Sequence, residues 1–276
     1  MPKNFLFILA IVSTISILFA GKLHYDEKIK AQGQTAYETF KQKEDRQALL
    51  DSLNPERNPD QSLVDYLYYK SLTQEQVRIS LFGSSGTAGI GASGPNYALG
   101  SRLEAEIQAL GNDFQHVHVH IHGFPEYSTA RLVKEAKVKS VIRDKPDLVI
   151  FETALFHNYD QHVPMDETKK DIEAIVQSIQ QHVPEAKILL TSSNPVSLVS
   201  EERTQNNIGY TYNDYIRAIT QLTKEKSWVY ANIHNDMEAR LAAENTKLPT
   251  ILIEGTYPND EGYLLWAEKL VEYMAQ

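Results

Sequence analysis

Two short stretches of this chain carry residue types that could do chemistry together. Gly83-Ser84-Ser85-Gly86-Thr87-Ala88-Gly89 follows directly on the apolar run Val77 to Phe82. Glu254-Gly255-Thr256-Tyr257-Pro258-Asn259 lies near the C-terminus. A serine at a strand-to-loop corner among glycines can attack a carbonyl and lend its own N–H to the resulting oxyanion. Glu254 and Tyr257 stand three apart just before a helix, a spacing that suits an acid orienting a base. Tyrosine is an unusual choice for that base. A phenol ordinarily titrates near pH 10, so at neutral pH it donates a hydrogen bond but does not readily take a proton. His157, in another loop expected at the same edge, is the alternative base.

Other readings of these residues are weaker. A phosphate-binding P-loop needs a lysine before a Ser/Thr at the helix start, and the Gly83–Gly94 loop has none. Gly89-Ile90-Gly91-Ala92-Ser93-Gly94 formally meets a dinucleotide fingerprint. It begins several residues after its strand, and the next strand lacks a terminal acid, so a Rossmann protein is a remote alternative. His116, His118, His120 and His122 alternate along one strand and share a face. No Asp, Glu or Cys lies among them in sequence, and no metal or other cofactor is expected.

The elements that must position these residues alternate regularly. Strands are expected at 77–82, 117–121, 147–151, 187–191 and 228–233. Helices are expected at 97–110, 129–142, 166–182, 212–225, 236–244 and 261–274, the last capped by Asn259 or Asp260. This pattern predicts a three-layer α/β/α domain with a five-stranded parallel sheet, flavodoxin-like in outline. Ligands of such sheets bind beyond the C-terminal strand ends. The loops that matter therefore begin at Gly83, Gly123, Glu152, Ser192 and Glu254.

With those loops in view, the chain resembles the SGNH, or GDSL-type, hydrolase family over roughly residues 77–276. It is most similar to the membrane-anchored members from Gram-positive bacteria. Gly83-Ser84-Ser85 matches the Gly-Asp-Ser block, with Ser84 in place of the aspartate. Gly123 matches the glycine block. Ala154-Leu155-Phe156-His157-Asn158 stands where Gly-x-Asn-Asp is usual, with Asn158 the better match and a shift onto His157 open. Glu254-Gly255-Thr256-Tyr257-Pro258 matches the Asp-x-x-His-Pro block with acid and base both replaced. The resemblance implies Ser85 as nucleophile, Glu254 and Tyr257 at the acid and base positions, and Ser85, Gly123 and Asn158 around the oxyanion.

Composition bounds the setting. The 276 residues carry Lys+Arg 27 against Asp+Glu 36, a net charge of -9 that argues against nucleic acid as a partner. There is no cysteine, which excludes disulfides and thiolate metal sites. Residues 1–21 read as a membrane anchor or signal peptide built on the apolar run Phe5 to Ala20, and bulky Leu18 disfavours cleavage after Ala20. Residues 22–76 read as a helical stalk or linker, and 77–276 as the SGNH-like domain. The expected function is a serine ester hydrolase or acyltransferase on the outer face of a bacterial membrane. Its substrate would be a small acyl ester or an acylated cell-wall carbohydrate. The alternatives are a secreted form and an SGNH-fold protein that binds such a ligand without turning it over.

Overall fold

The computed structural model describes residues 3–197 and 204–276. Residues 198–203, part of the loop that begins at Ser192, lie outside them. The chain divides into two compact units, the first ending at Pro59 and the second spanning Asp60–Gln276.

The first unit is one helix, α1 (Lys3–Leu53). Its segment from Phe7 includes a stretch of mean hydropathy 1.8. Among the described residues it is the one helix long and apolar enough to cross a membrane.

The second unit opens with α2 (Leu63–Thr73), whose N-cap Ser62 accepts the Asp65 N–H. Then come β1 (Val77–Gly83), α3 (Leu99–Gln108), β2 (Val117–Gly123), α4 (Thr129–Lys134) and α5 (Val138–Asp144). Next are β3 (Leu148–Glu152), α6 (Leu155–Asp160), α7 (Met165–His182), β4 (Lys187–Thr191), α8 (Tyr212–Glu225) and β5 (Tyr230–Ala231). The chain finishes with α9 (Ile233–Ala243), β6 (Leu252–Ile253), β7 (Tyr257–Pro258) and α10 (Asp260–Met274). Strands β1 to β5 form a parallel sheet in the order β2-β1-β3-β4-β5, the flavodoxin-like order, so the expected architecture is present.

Two cores cover the faces of this sheet. Val77, Ile79 and Leu81 point to one side and pack with residues of α2, α3, α9 and α10. Phe82, Val149 and Phe151 point to the other and pack with residues of α4 to α8. Strand β3 is buried along its whole length, as a central parallel strand must be. Strand β2 is an edge, and α3 caps it: Glu104 Oε2 takes the Val119 N–H at 2.6 Å, and Gln108 Nε2 donates to the Val117 carbonyl.

Three local departures from the sequence expectation bear on the site. The helix expected over 129–142 is two helices, broken around Ala136 in the left-handed region (φ 51°). Every residue there is helix-tolerant, so the break leaves no mark in the sequence. The six-residue α6 was expected as a loop, because so short a segment shows no helical periodicity. Finally, β6 and β7 pair antiparallel across a tight turn at Glu254 and Gly255, both with positive φ (51° and 67°).

Trp266 of α10 is fully buried, stacks on Tyr263, and lies directly under Gly86 of the serine loop, where an added Cβ would come within 2.8 Å of its ring. Trp266→Ala should therefore destabilise the domain by about 3–5 kcal/mol in urea unfolding. A loss below about 1 kcal/mol would mean the indole is not the support of that loop.

Candidate active site

The serine loop leaves β1 at Gly83, where only a residue without a Cβ fits: an added Cβ would lie 2.6 Å from Glu152 Oε2 and 2.4 Å from Thr87 Oγ1. Ser84 and Ser85 follow, both buried. Ser85 Oγ meets two groups. The Glu126 N–H donates to it at 2.8 Å, and His157 Nε2 lies at 2.9 Å. Since Oγ already accepts from Glu126, its own hydrogen is free to point at His157 Nε2, the arrangement a serine nucleophile and its base require.

His157 sits on α6, the short helix directly after β3. Its entry is set by Ala154 in the left-handed region (φ 53°). The ring is 4% exposed and packs edge-on to Phe156. Burial pushes its pKa below the ordinary 6.5, opposed by the negative charges of Glu152, Asp160 and Glu126. The imidazole is thus neutral near pH 7, the form that can accept a proton. Its Nδ1 has no hydrogen-bond partner among the described residues.

The other residues singled out from the sequence are placed as follows. Asn158 is fully buried, but its amide faces away from Ser85: Nδ2 donates to Thr129 Oγ1 and Thr168 Oγ1, and Oδ1 accepts the Thr129 N–H at 2.8 Å. It ties the start of α4 to α7. Of the two neighbours, His157 is the one whose side chain reaches Ser85 Oγ. Gly123 ends β2 beside the serine loop, where an added Cβ would come within 2.3 Å of the Ala88 nitrogen, so its bareness lets that loop pass. Glu254 is exposed at the β6–β7 turn, and among the described residues its carboxylate has no partner. Tyr257 packs near Gly91, and neither hydrogen bond of Ser85 Oγ goes to it.

Sequence reasoning missed two groups here. One is the backbone of Glu126, held in the left-handed region (φ 62°) and pinned by Gln161 Nε2 on its carbonyl at 2.7 Å. The other is Glu152, wholly buried at the end of β3. A lone acid closing the apolar run Leu148 to Phe151 was the available signal for it. The histidine strand also resolves. His120 Nδ1 and His122 Nε2 both meet Asp144 Oδ2, at 2.9 and 2.8 Å, and His118 faces Glu104 at 3.6 Å. The acids absent from the local sequence arrive from α5 and α3. Among the described residues, no group of three or more His, Cys, Asp or Glu is arranged to hold a metal.

The family model for the GDSL-like lipase/acylhydrolase family matches residues 81–265, well over half of the chain. The chain belongs to that family. No curated protein is similar enough to count as a relative. Among solved structures, this GDSL-family chain is similar to a two-domain esterase active on acetylated mannans (TM-score 0.60, 15% identity, covering 77% of this chain and 52% of that one). It is also similar to a catalytic mutant of an acetylxylan esterase from Geobacillus stearothermophilus (TM-score 0.56, 17% identity, covering 72% and 94%). At these identities the likeness is one of fold.

The geometry separates two candidate bases by experiment. His157→Ala should abolish fluorophosphonate labelling of Ser85, a fall on the order of 10⁴-fold or more, whereas Tyr257→Phe should label at a rate close to that of the unaltered protein. The reverse pattern would return the base to the C-terminal loop. Because catalysis needs the neutral imidazole, kcat/KM should hold through neutrality and fall only as pH drops through a value below 6.5. An acid limb centred above 6.5 in the pH–rate profile would contradict the burial of His157.

Proposed function

We propose that this chain is an extracytoplasmic serine ester hydrolase or acyltransferase, with Ser85 as nucleophile and His157 as general base. The observation that carries the reading is the 2.9 Å approach of His157 Nε2 to Ser85 Oγ at the C-terminal edge of a parallel sheet. Ser85 Oγ attacks the ester carbonyl carbon while its proton passes to His157 Nε2. The Glu126 N–H, which donates to Ser85 Oγ, holds the attacking oxygen in place, and the Ser85 N–H is proposed as a donor to the oxyanion. The intermediate collapses, the leaving alcohol takes the proton from His157, and an acyl-Ser85 remains. His157 then removes a proton from water, or from an acceptor hydroxyl. That oxygen attacks the acyl carbon, and Ser85 regains its proton as the acid or the new ester departs.

This assignment moves the base from the C-terminal block to α6, leaving Tyr257 and Glu254 outside the proton transfer. Among the described residues His157 has no carboxylate on Nδ1, which predicts turnover slower than that of a full triad. The substrate class proposed is an O-acetylated carbohydrate, in keeping with the acetylated mannan and acetylxylan activities named for the two structural neighbours. The apolar part of α1 is proposed as an uncleaved single-pass anchor that leaves the domain on the outer face of a bacterial membrane. Digestion of the domain by protease added to intact spheroplasts tests that orientation, and full protection would refute it.

The full-length protein in detergent should release acetate from acetylated xylo- or manno-oligosaccharides, and Ser85→Ala should not. Saturable oligosaccharide binding with no acetate release and no fluorophosphonate labelling would instead establish a binding protein.

A further inference from the structure

Among the described residues the Ser85–His157 pair has no carboxylate on His157 Nδ1, yet a buried carboxylate lies beside both residues. Glu152 ends β3 with no exposed surface. Its Oε2 accepts the Ser84 N–H at 2.8 Å and the Ser84 hydroxyl at 2.9 Å. Its Oε1 accepts the Ala154 N–H at 2.8 Å and the Ser193 hydroxyl. Ser193 Oγ in turn accepts the Leu155 N–H at 3.1 Å, so its hydrogen is committed to Glu152. Four donors on two oxygens is the acceptor-only pattern of an ionised carboxylate.

These donors are not scattered. Ser84 immediately precedes the nucleophile. Ala154 and Leu155 are the entry to α6, the helix that carries His157. Ser193 belongs to the loop after β4. One side chain thus sets the distance between the serine loop and the base helix. The chain has a serine where the family's first block has an aspartate, and the carboxylate at this point comes from β3 instead.

We propose that Glu152 is the positioning carboxylate of this site, clamping the Ser85 loop to the start of α6 and supplying the negative charge that a triad acid would otherwise bring to His157. The proposal rests on the Ser85–His157 reading. Among the described residues, the charged groups acting on His157 are Glu152 from β3, Asp160 from α6 itself and Glu126 from the β2–α4 loop. On α8, Tyr212 meets Phe156 edge-on, and burial holds its phenol protonated. Of the three acids, Glu152 acts most strongly on His157, favouring the imidazolium that forms as Ser85 gives up its proton.

The test is Glu152→Gln in the full-length protein, read as a pH profile of kcat/KM on 4-nitrophenyl acetate. Removing the charge should lower kcat/KM by about 10-fold or more, short of the roughly 10⁴-fold seen when a triad acid is neutralised. It should also move the acid limb to lower pH, because a neutral neighbour no longer favours the protonated ring. Glu152→Asp should return the limb towards its original position. Unchanged activity and profile in Glu152→Gln would overturn the proposal. So would a loss of activity with an unmoved acid limb, since packing alone would then explain it. If Glu152→Gln does not fold, Ser84→Ala and Ser193→Ala each remove one donor to the carboxylate, and both should slow fluorophosphonate labelling of Ser85 several-fold. Unchanged labelling in both would overturn the clamp. Failure of the dyad itself is read separately, as turnover that survives Ser85→Ala or His157→Ala.

Discussion

A carboxylate with no exposed surface is tolerated only if donors replace the water it has lost, and that requirement organises this molecule. Glu152 meets it with donors from the loops after β1, β3 and β4. Those loops cannot drift apart without stranding a buried charge. Gly83 gives up its side chain to make the room, and Ala154 adopts a left-handed conformation so that its N–H can turn inward. Ser85 and His157 lie within hydrogen-bond reach on two supports that both donate to this group.

Around that centre, backbone freedom is restricted by packing. Trp266 lies under Gly86, Ala88 fills the space beside Gly123, and Gln161 holds the carbonyl of Glu126. Each contact comes from a different element, which suits a loop that must present one hydroxyl at one point. The edge of the sheet is treated differently. Strand β2 faces no further strand, and side chains of α3 occupy its open backbone groups. Its alternate histidines find acids on α3 and α5. The alternating histidines of this polar strand are satisfied by acids from neighbouring helices.

The C-terminal block shows how conformation overrides motif. Glu254 and Gly255 take positive φ in the three-residue connection between β6 and β7, where the Glu254 side chain is exposed to solvent. The same segment still matters structurally. Its Thr256 carbonyl accepts from Asn194 Nδ2, and Asn259 caps α10. The spacing of an acid–base pair is preserved here, while the neighbouring Thr256 and Asn259 make the structural contacts.

The sequence by itself determined the sheet, the order of its loops and the position of Ser85. Apolar runs bounded by helical periodicity leave few topologies, and in a parallel sheet every loop that matters lies at one edge. It could not choose between His157 and Asn158. Successive residues on a helix point about 100° apart, so one faces the serine and the other the core beneath α4 and α7. Which one does so follows from the entry angle of α6, set by Ala154 and by the hydrogen bonds of Glu152 and Ser193. Glu126 and Glu152 were hidden for the same reason. Their parts depend on a backbone N–H aimed by a strained loop and on donors 68 and 41 residues away in the chain, and only tertiary packing brings such groups together.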